Sequence, residues 1–282
     1  MNSDKTITYQ PDNQIKMGFL SAWKEIINSL YGSRELIWRL FVRDFLAKYK
    51  QSLLGFAWAV LNPLITVGIF VYLNKAGLFN IGKTHVPYPV FALVGLSVWT
   101  LFATGLSACS NSIVNAGAMV VKINFPKSSL VISSMAQAVV DFLVRIFLAV
   151  IVFAIFGVLP SWTAVFLPFA VIPLVMLTLG IGFFLSLITG IFRDMVNVVN
   201  LMTTFFLFLV PVLYPAPESG LFAAINNINP LSHLIAGCRD IVFLGRFASP
   251  AGFWGSTVFS ILVFLMSLRF FYLVEAKIAE RI

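Results

Sequence analysis

Residues Gly77-Leu78-Phe79-Asn80-Ile81-Gly82-Lys83-Thr84 match the G-x-x-x-x-G-K-[ST] spacing with which backbone amides and a lysine cradle nucleotide phosphates. That chemistry needs a strand before the loop and a helix after it, so that N–H groups converge on the anion. Here an apolar run precedes the loop and His85-Val86-Pro87-Tyr88-Pro89 follows it. The match is read as coincidence, and this chain is expected to bind no cofactor of its own, neither ATP nor magnesium. His85 and His233 stand apart from any Cys, Asp or Glu at ligand spacing, so no metal site is expected. No nucleophile with a placed base is visible, and the chain is read as non-catalytic.

Two constellations remain. Asp141 and Arg145 lie one helical turn apart inside an apolar stretch, where ionisable groups are costly and face a partner or a cavity. At i and i+4 they can neutralise each other. A structural ion pair facing the bundle is the favoured reading, and contact with a polar substrate or a partner subunit is the alternative. The second constellation is basic. Over Arg34–Lys50, Leu36, Ile37, Leu40, Phe41, Phe45 and Tyr49 fall on one helical stripe. Arg39, Arg43 and Lys50 fall on another, flanked by Lys48 and Asp44. Such a helix favours the headgroup region of an anionic leaflet.

The elements that position these groups follow from the apolar runs. The chain has 282 residues, 60% hydrophobic and only 11% charged, against roughly 25% charged in an ordinary globular domain. The runs are continuous, whereas a transmembrane barrel alternates. An all-α polytopic membrane protein with about six transmembrane helices is predicted, with spans at about 53–73, 89–109, 130–157, 163–187, 196–213 and 252–273. Residues 1–52 form a cytoplasmic tail and amphipathic interface helices, and 53–282 the transmembrane domain. The polar start has no apolar core, so no cleavable signal peptide is expected. The stretch 214–251 is too apolar for a loop, and its prolines cut it into pieces too short to span. It is read as outer re-entrant helices before the last span, with a flat surface cap as the alternative.

With both termini cytoplasmic, the 19 Lys and Arg all fall inside except Lys75, Lys83, Arg239, Arg246 and the intramembrane Arg145. The net charge of +8 is therefore read as topology and lipid contact rather than nucleic-acid binding. Cys109 and Cys238 fall on opposite sides and are expected to be packing residues. Gly180 and Gly182 permit close helix contact. Trp162, Trp254, Tyr72 and Tyr88 fall near span ends, where interfacial belts belong.

The run Arg43-Asp44-Phe45-Leu46-Ala47-Lys48-Tyr49-Lys50-Gln51-Ser52-Leu53-Leu54-Gly55, then Trp58 and Leu61-Asn62-Pro63-Leu64, resembles the opening of the type-2 ABC exporter permeases that export polysaccharide. The Arg193-Asp194 turn and Asn229-Pro230-Leu231 fit that pattern by position. The resemblance implies a homodimeric permease with two copies of a separate nucleotide-binding ATPase, which would hold the ATP and Mg. It implies a coupling region at about 112–128, including Lys122, Phe125, Pro126 and Lys127. Arg39, Arg43, Lys48 and Lys50 become candidates for binding the ATPase or a lipid pyrophosphate. Tyr214, Pro215, Asn229 and Pro230 fall in the expected gate region. The implied substrate is a lipid-linked glycan, O-antigen on polyprenyl pyrophosphate first, with capsular polysaccharide and teichoic acid as alternatives. The implied location is the bacterial inner membrane. A stand-alone channel or secondary transporter is the rival reading; it would need inverted repeats or more intramembrane ionisable groups. On this reading the purified chain alone hydrolyses no ATP in a phosphate-release assay.

Overall fold

The computed structural model describes residues 19–50, 55, 57–77, 84–123, 125–217 and 219–278, and among these there is no strand. Two short helices open the described chain, α1 (Phe19–Gly32) and α2 (Arg34–Lys50), separated by a turn at Ser33. Then come α3 (Ala57–Lys75), α4 (Tyr88–Ala116), a single turn α5 (Met119–Lys122) and α6 (Ser128–Ile155). A 3-10 turn (Trp162–Phe166) leads into α7 (Leu167–Ile191). The chain ends through α8 (Met195–Leu209), α9 (Leu221–Ile228), α10 (Pro230–Phe243) and α11 (Pro250–Ile278). Residues 78–83, which carry most of the phosphate-loop match, and Gln51–Leu54, where the first span was expected to begin, lie outside the described residues.

Five helical runs are long and apolar enough to cross a membrane: α3, α4, α6, the Trp162–Ile191 run containing α7, and α11. The sixth expected span is shorter. α8 has 15 residues, roughly 22 Å at 1.5 Å per residue, against a hydrocarbon core of about 30 Å. The expected helix to 213 stops at Leu209 because Pro211 forces its predecessor out of the helical region. Val210 accordingly has φ −88° and ψ 141°.

The centre of the bundle is α4. It packs on α3, α6, α7, α8 and α10, and most of its side chains are buried, from Tyr88 to Ile113. Lipid offers no hydrophobic drive between helices, so close packing of small residues must hold them. A Cβ at Gly105 would lie 2.8 Å from Met135 Sδ of α6. One at Gly182 of α7 would lie 2.5 Å from Cys109 Cβ of α4, and one at Gly180 would lie 2.9 Å from the Phe264 nitrogen of α11. At each, the neighbouring helix fills the space a side chain would need, and at Gly180 it does so with its backbone. α2 lies along α6, and α3 is largely exposed outside the core, with Ile65, Ile69 and Tyr72 turned outward.

Two ends can be distinguished, the Trp162 end and the Lys127 end. Trp162, Trp254 and Tyr72 are 76%, 59% and 71% exposed, as an interfacial position requires. Tyr88 differs: it is 9% exposed and its hydroxyl finds no partner among the described residues. The helices packed around α4 cover it, away from the belt expected for it. At the Trp162 end, α9 and α10 make a hairpin. Its tip, Asn229-Pro230-Leu231, shares a cavity of about 290 Å³ with Phe102, Leu177 and Phe259, roughly 15–20 Å along their helices. The far end of α10 lies near the helix starts, where Thr163 Oγ1 donates to Ile241 O at 2.6 Å and Ser161 N to Val242 O at 2.9 Å.

Replacing Gly182 with Val should force α4 and α7 apart and destabilise the fold by about 1–3 kcal/mol. A lower thermal midpoint in detergent, beside an unchanged midpoint for an Ala substitution at the open Gly68, checks it.

Candidate functional site

The four cations of the basic helix differ in their surroundings. Arg39 pairs with Glu35 at 2.6 Å, and both side chains are about three-quarters exposed. Lys50 is exposed at the helix end. Arg43 Nε donates to Asp44 Oδ1 at 2.7 Å, and its Nη1 lies 3.8 Å from Met119 Sδ, which brings α2 against α5. Lys48 Nζ donates to Asp141 Oδ2 of α6 at 2.6 Å. The spacing suggested an ion pair within α6, Asp141 with Arg145. The Asp141 carboxylate also bridges to Lys48, from a helix ninety-three positions earlier in the chain. A long lysine on a helix lying beside α6 can reach a carboxylate that its own helix also flanks. Along the other face of α2, Trp38, Phe41 and Phe45 form a ladder of rings 5.4 and 5.7 Å apart. The amphipathic split is real, but its polar side is turned partly toward the bundle.

At the Lys127 end, the residues expected to couple to an ATPase separate into two sets. Lys122 is exposed, with Ile123 beside it at 54% exposure. Lys127 is buried: its ammonium turns back to donate to Phe125 O at 3.0 Å and Ile123 O at 3.3 Å, 4.6 Å from the Phe125 ring centre. Burial pushes the Lys127 pKa down, against the nearby Glu275 carboxylate, which raises it. Pro126 and Phe125 are half-buried in the same turn. Glu275, in the last turns of α11, accepts from the Lys127 backbone N–H at 3.0 Å. It holds an amide that the start of α6 would otherwise leave without a partner. Sequence reasoning missed Glu275, although an acid closing a long apolar run is a visible signal.

The expected gate region is built on an interrupted helix. After α8 ends, the Tyr214 hydroxyl donates to Phe208 O at 2.9 Å and Leu209 O at 3.1 Å, capping carbonyls that the break releases. Pro215 follows in irregular chain beside a polar cavity of about 410 Å³ that also includes His85, Asn227, His233 and Asp240. Asn229 Oδ1 accepts from Leu231 N at 3.0 Å as an N-cap, and Pro230 sits at the first helical position of α10, where its missing N–H does no harm. The residue that sequence reading treated only as an outer charge is Arg239. It is 6% exposed, donates to Pro211 O at 3.0 Å and lies 4.2 Å from the Phe91 ring centre. Burial pushes its pKa down to about 10, opposed by Asp240, so it stays charged at neutral pH. A backbone carbonyl freed by Pro211 and an aromatic face on α4 together accommodate the cation.

Cys109 and Cys238 are free and fully buried, with sulfurs 3.5 Å from Val131 O and 3.4 Å from Ala170 O. Among the described residues no group of three or more His, Cys, Asp or Glu is placed to hold a metal. The largest cavity, about 1070 Å³, is an apolar wedge at the Trp162 end between Phe166, Phe169, Pro173, Phe247 and Trp254.

The Lys48–Asp141 pair is half exposed on the lysine side, so its coupling should be on the order of 1 kcal/mol. Lys48→Met and Asp141→Asn should each lower the thermal midpoint, and the reversed pair Lys48→Asp with Asp141→Lys should recover most of the loss.

Three relatives place this arrangement. The chain is 27% identical over 225 residues to the O-antigen export system permease protein RfbA of Myxococcus xanthus, a match covering 78% of this chain and 85% of that protein. It is 29% identical over 208 residues to the protein of the same name from Klebsiella pneumoniae, covering 72% and 78%. It is 22% identical over 242 residues to the polysialic acid transport protein KpsM of Escherichia coli, covering 82% and 90%. The ABC-2 type transporter family profile matches residues 35–243, from the basic helix through α10, and the chain belongs to that family.

Proposed function

We propose that this chain is the membrane-spanning subunit of an ATP-driven exporter that moves a lipid-linked polysaccharide, O-antigen on polyprenyl pyrophosphate, from the cytoplasm to the outer side of the bacterial inner membrane. The observation that carries the reading is the length of the likeness to the O-antigen export permeases, which runs through the spans and not through one motif. Capsular polysaccharide is the second reading, favoured by the likeness to the polysialic acid transport protein across 90% of its length. Teichoic acid is a third cargo of the same chemical kind.

The working unit is a homodimer with two copies of a separate ATPase, and both termini face the cytoplasm. The exposed part of the coupling turn, Lys122 with Ile123, meets the ATPase, and the buried part, Phe125 to Lys127, passes its motion to α6 and α11 through Glu275. The cations Arg39, Arg43, Lys48 and Lys50 gather the anionic lipid head at the inner rim. Arg and Lys suit phosphate because they donate charge-assisted hydrogen bonds. The α9–α10 hairpin gates the exit. Its tip lies against a cavity, which leaves it room to shift.

Co-expression of this chain with its partner ATPase should restore surface glycan to a strain lacking the permease. Replacing Arg43, Lys48 and Lys50 together with Ala should abolish that glycan while the permease still co-purifies with the ATPase. Normal surface glycan in the triple variant would remove these residues from the transport path.

A further inference from the structure

On α6, polar residues recur at every fourth position: Ser129, Ser133, Gln137, Asp141 and Arg145. On a helix that is otherwise apolar they draw one line, roughly 24 Å long, spiralling slowly across a face. Polar groups at membrane depth face protein or a cavity, and here they face both. α2 lies beside the line, and Lys48 closes on Asp141. Toward the Lys127 end a cleft of about 240 Å³ stays open between α2, α4 and α6, with Arg43, Asp44, Ser112, Asn115, Ser134 and Gln137 in its walls.

The chemistry of these walls is specific. The charges cancel in neighbouring pairs, Arg43 with Asp44 at 2.7 Å and, just beyond the cleft, Lys48 with Asp141 at 2.6 Å. What is left is neutral. Asn115, Ser134 and Gln137 make no side-chain hydrogen bond to the protein among the described residues. Two amides and a hydroxyl each donate and accept. A diphosphate only accepts and calls for net positive charge, whereas the one cation in these walls, Arg43, is already held by the Asp44 carboxylate. A sugar hydroxyl both donates and accepts, and it requires no net charge from its site. The volume is below the roughly 300–1,000 Å³ of pockets for drug-sized ligands, which suits a single sugar ring.

We propose that the cleft between α2, α4 and α6 is a sugar-binding subsite that seats one ring of the exported glycan by its hydroxyls through Asn115, Ser134 and Gln137. The proposal rests on the polysaccharide-export reading and deepens it. The sugar next to the lipid is held at the inner rim, beside the cations that attract the head but on separate groups. Selection of cargo then begins in the permease, by hydroxyl geometry, and not only by charge.

The test uses the complex of the full chain with its ATPase in nanodiscs and two probes, polyprenyl diphosphate and polyprenyl diphosphate carrying one hexose, with binding read by native mass spectrometry. The double variant Ser134→Ala/Gln137→Leu should weaken binding of the hexose lipid at least tenfold and leave the bare diphosphate lipid as tightly bound as before. Ala47→Leu, which removes no polar group and narrows the cleft, should do the same. Retained binding of the bare lipid also shows that each variant is folded. Equal weakening for both lipids, or unchanged binding of the hexose lipid, overturns the subsite. If the unaltered complex binds neither lipid, the export reading falls, and the subsite with it.

Discussion

A backbone N–H or C=O inside hydrocarbon can be satisfied only by another part of the protein, and the architecture follows from that requirement wherever a helix stops short. The plainest case is the end of α8. Pro211 ends the helix and leaves carbonyls that need new partners. Tyr214 returns its hydroxyl to the last carbonyls of α8, Arg239 reaches across from α10 to Pro211 O, and Val212 is pressed against Gly95 of α4 so closely that no side chain fits there. The irregular backbone just after the break, Val210 to Leu213, is buried, with Val210 and Val212 wholly hidden. α10 is held in place by the same contacts, so the break and the hairpin depend on each other.

The same requirement shapes the Lys127 end. Here the turn between α5 and α6 folds its lysine inward onto carbonyls of its own loop, and Glu275 takes an amide at the start of α6. A turn bound in this way is stiff. Its exposed part at Lys122 and Ile123 is thereby tied to two helices at once, α6 through the chain and α11 through the carboxylate. The glycine contacts of α4 with α6 and α7, and of α7 with α11, extend the stiff body through the bundle, because closely packed interiors transmit displacement. The loose parts are elsewhere: α3 on the outside, the exposed face of α8, and the hairpin tip beside its cavity.

Much of this could be read in one dimension. Charge-free runs of about twenty residues specify helices across a bilayer, and five such helices are present with a sixth, shorter apolar one. The break at Gly32-Ser33 and the turn at Arg193-Asp194 fall where the glycine, serine and charges put them. The N-cap role of Asn229 before Pro230 follows from local rules as well. Where the reading stopped short, the reason is lateral. Spacing offers Asp141 the cation one turn away along its own helix, Arg145, but it could not announce Lys48, which arrives from a helix whose path beside α6 no periodicity encodes. Lys127 reads as an exposed basic residue in a loop until the fold turns it under. Arg239 reads as one of a few outer charges until α10 carries it beneath Phe91. Tyr88 reads as an interfacial anchor until α4 is seen to be the central helix.

The sequence by itself determined that the chain is helical, that it crosses a membrane several times, that an amphipathic basic helix precedes the first crossing, and which family it resembles. Those properties depend on hydropathy, charge and spacing along a single strand of chain, and each is settled within some twenty residues. Only the tertiary structure decided which polar groups meet. Burying a charge or a broken helix end in an apolar medium is tolerable only with a partner in reach, and partners are found between helices, at distances that the order of residues does not contain.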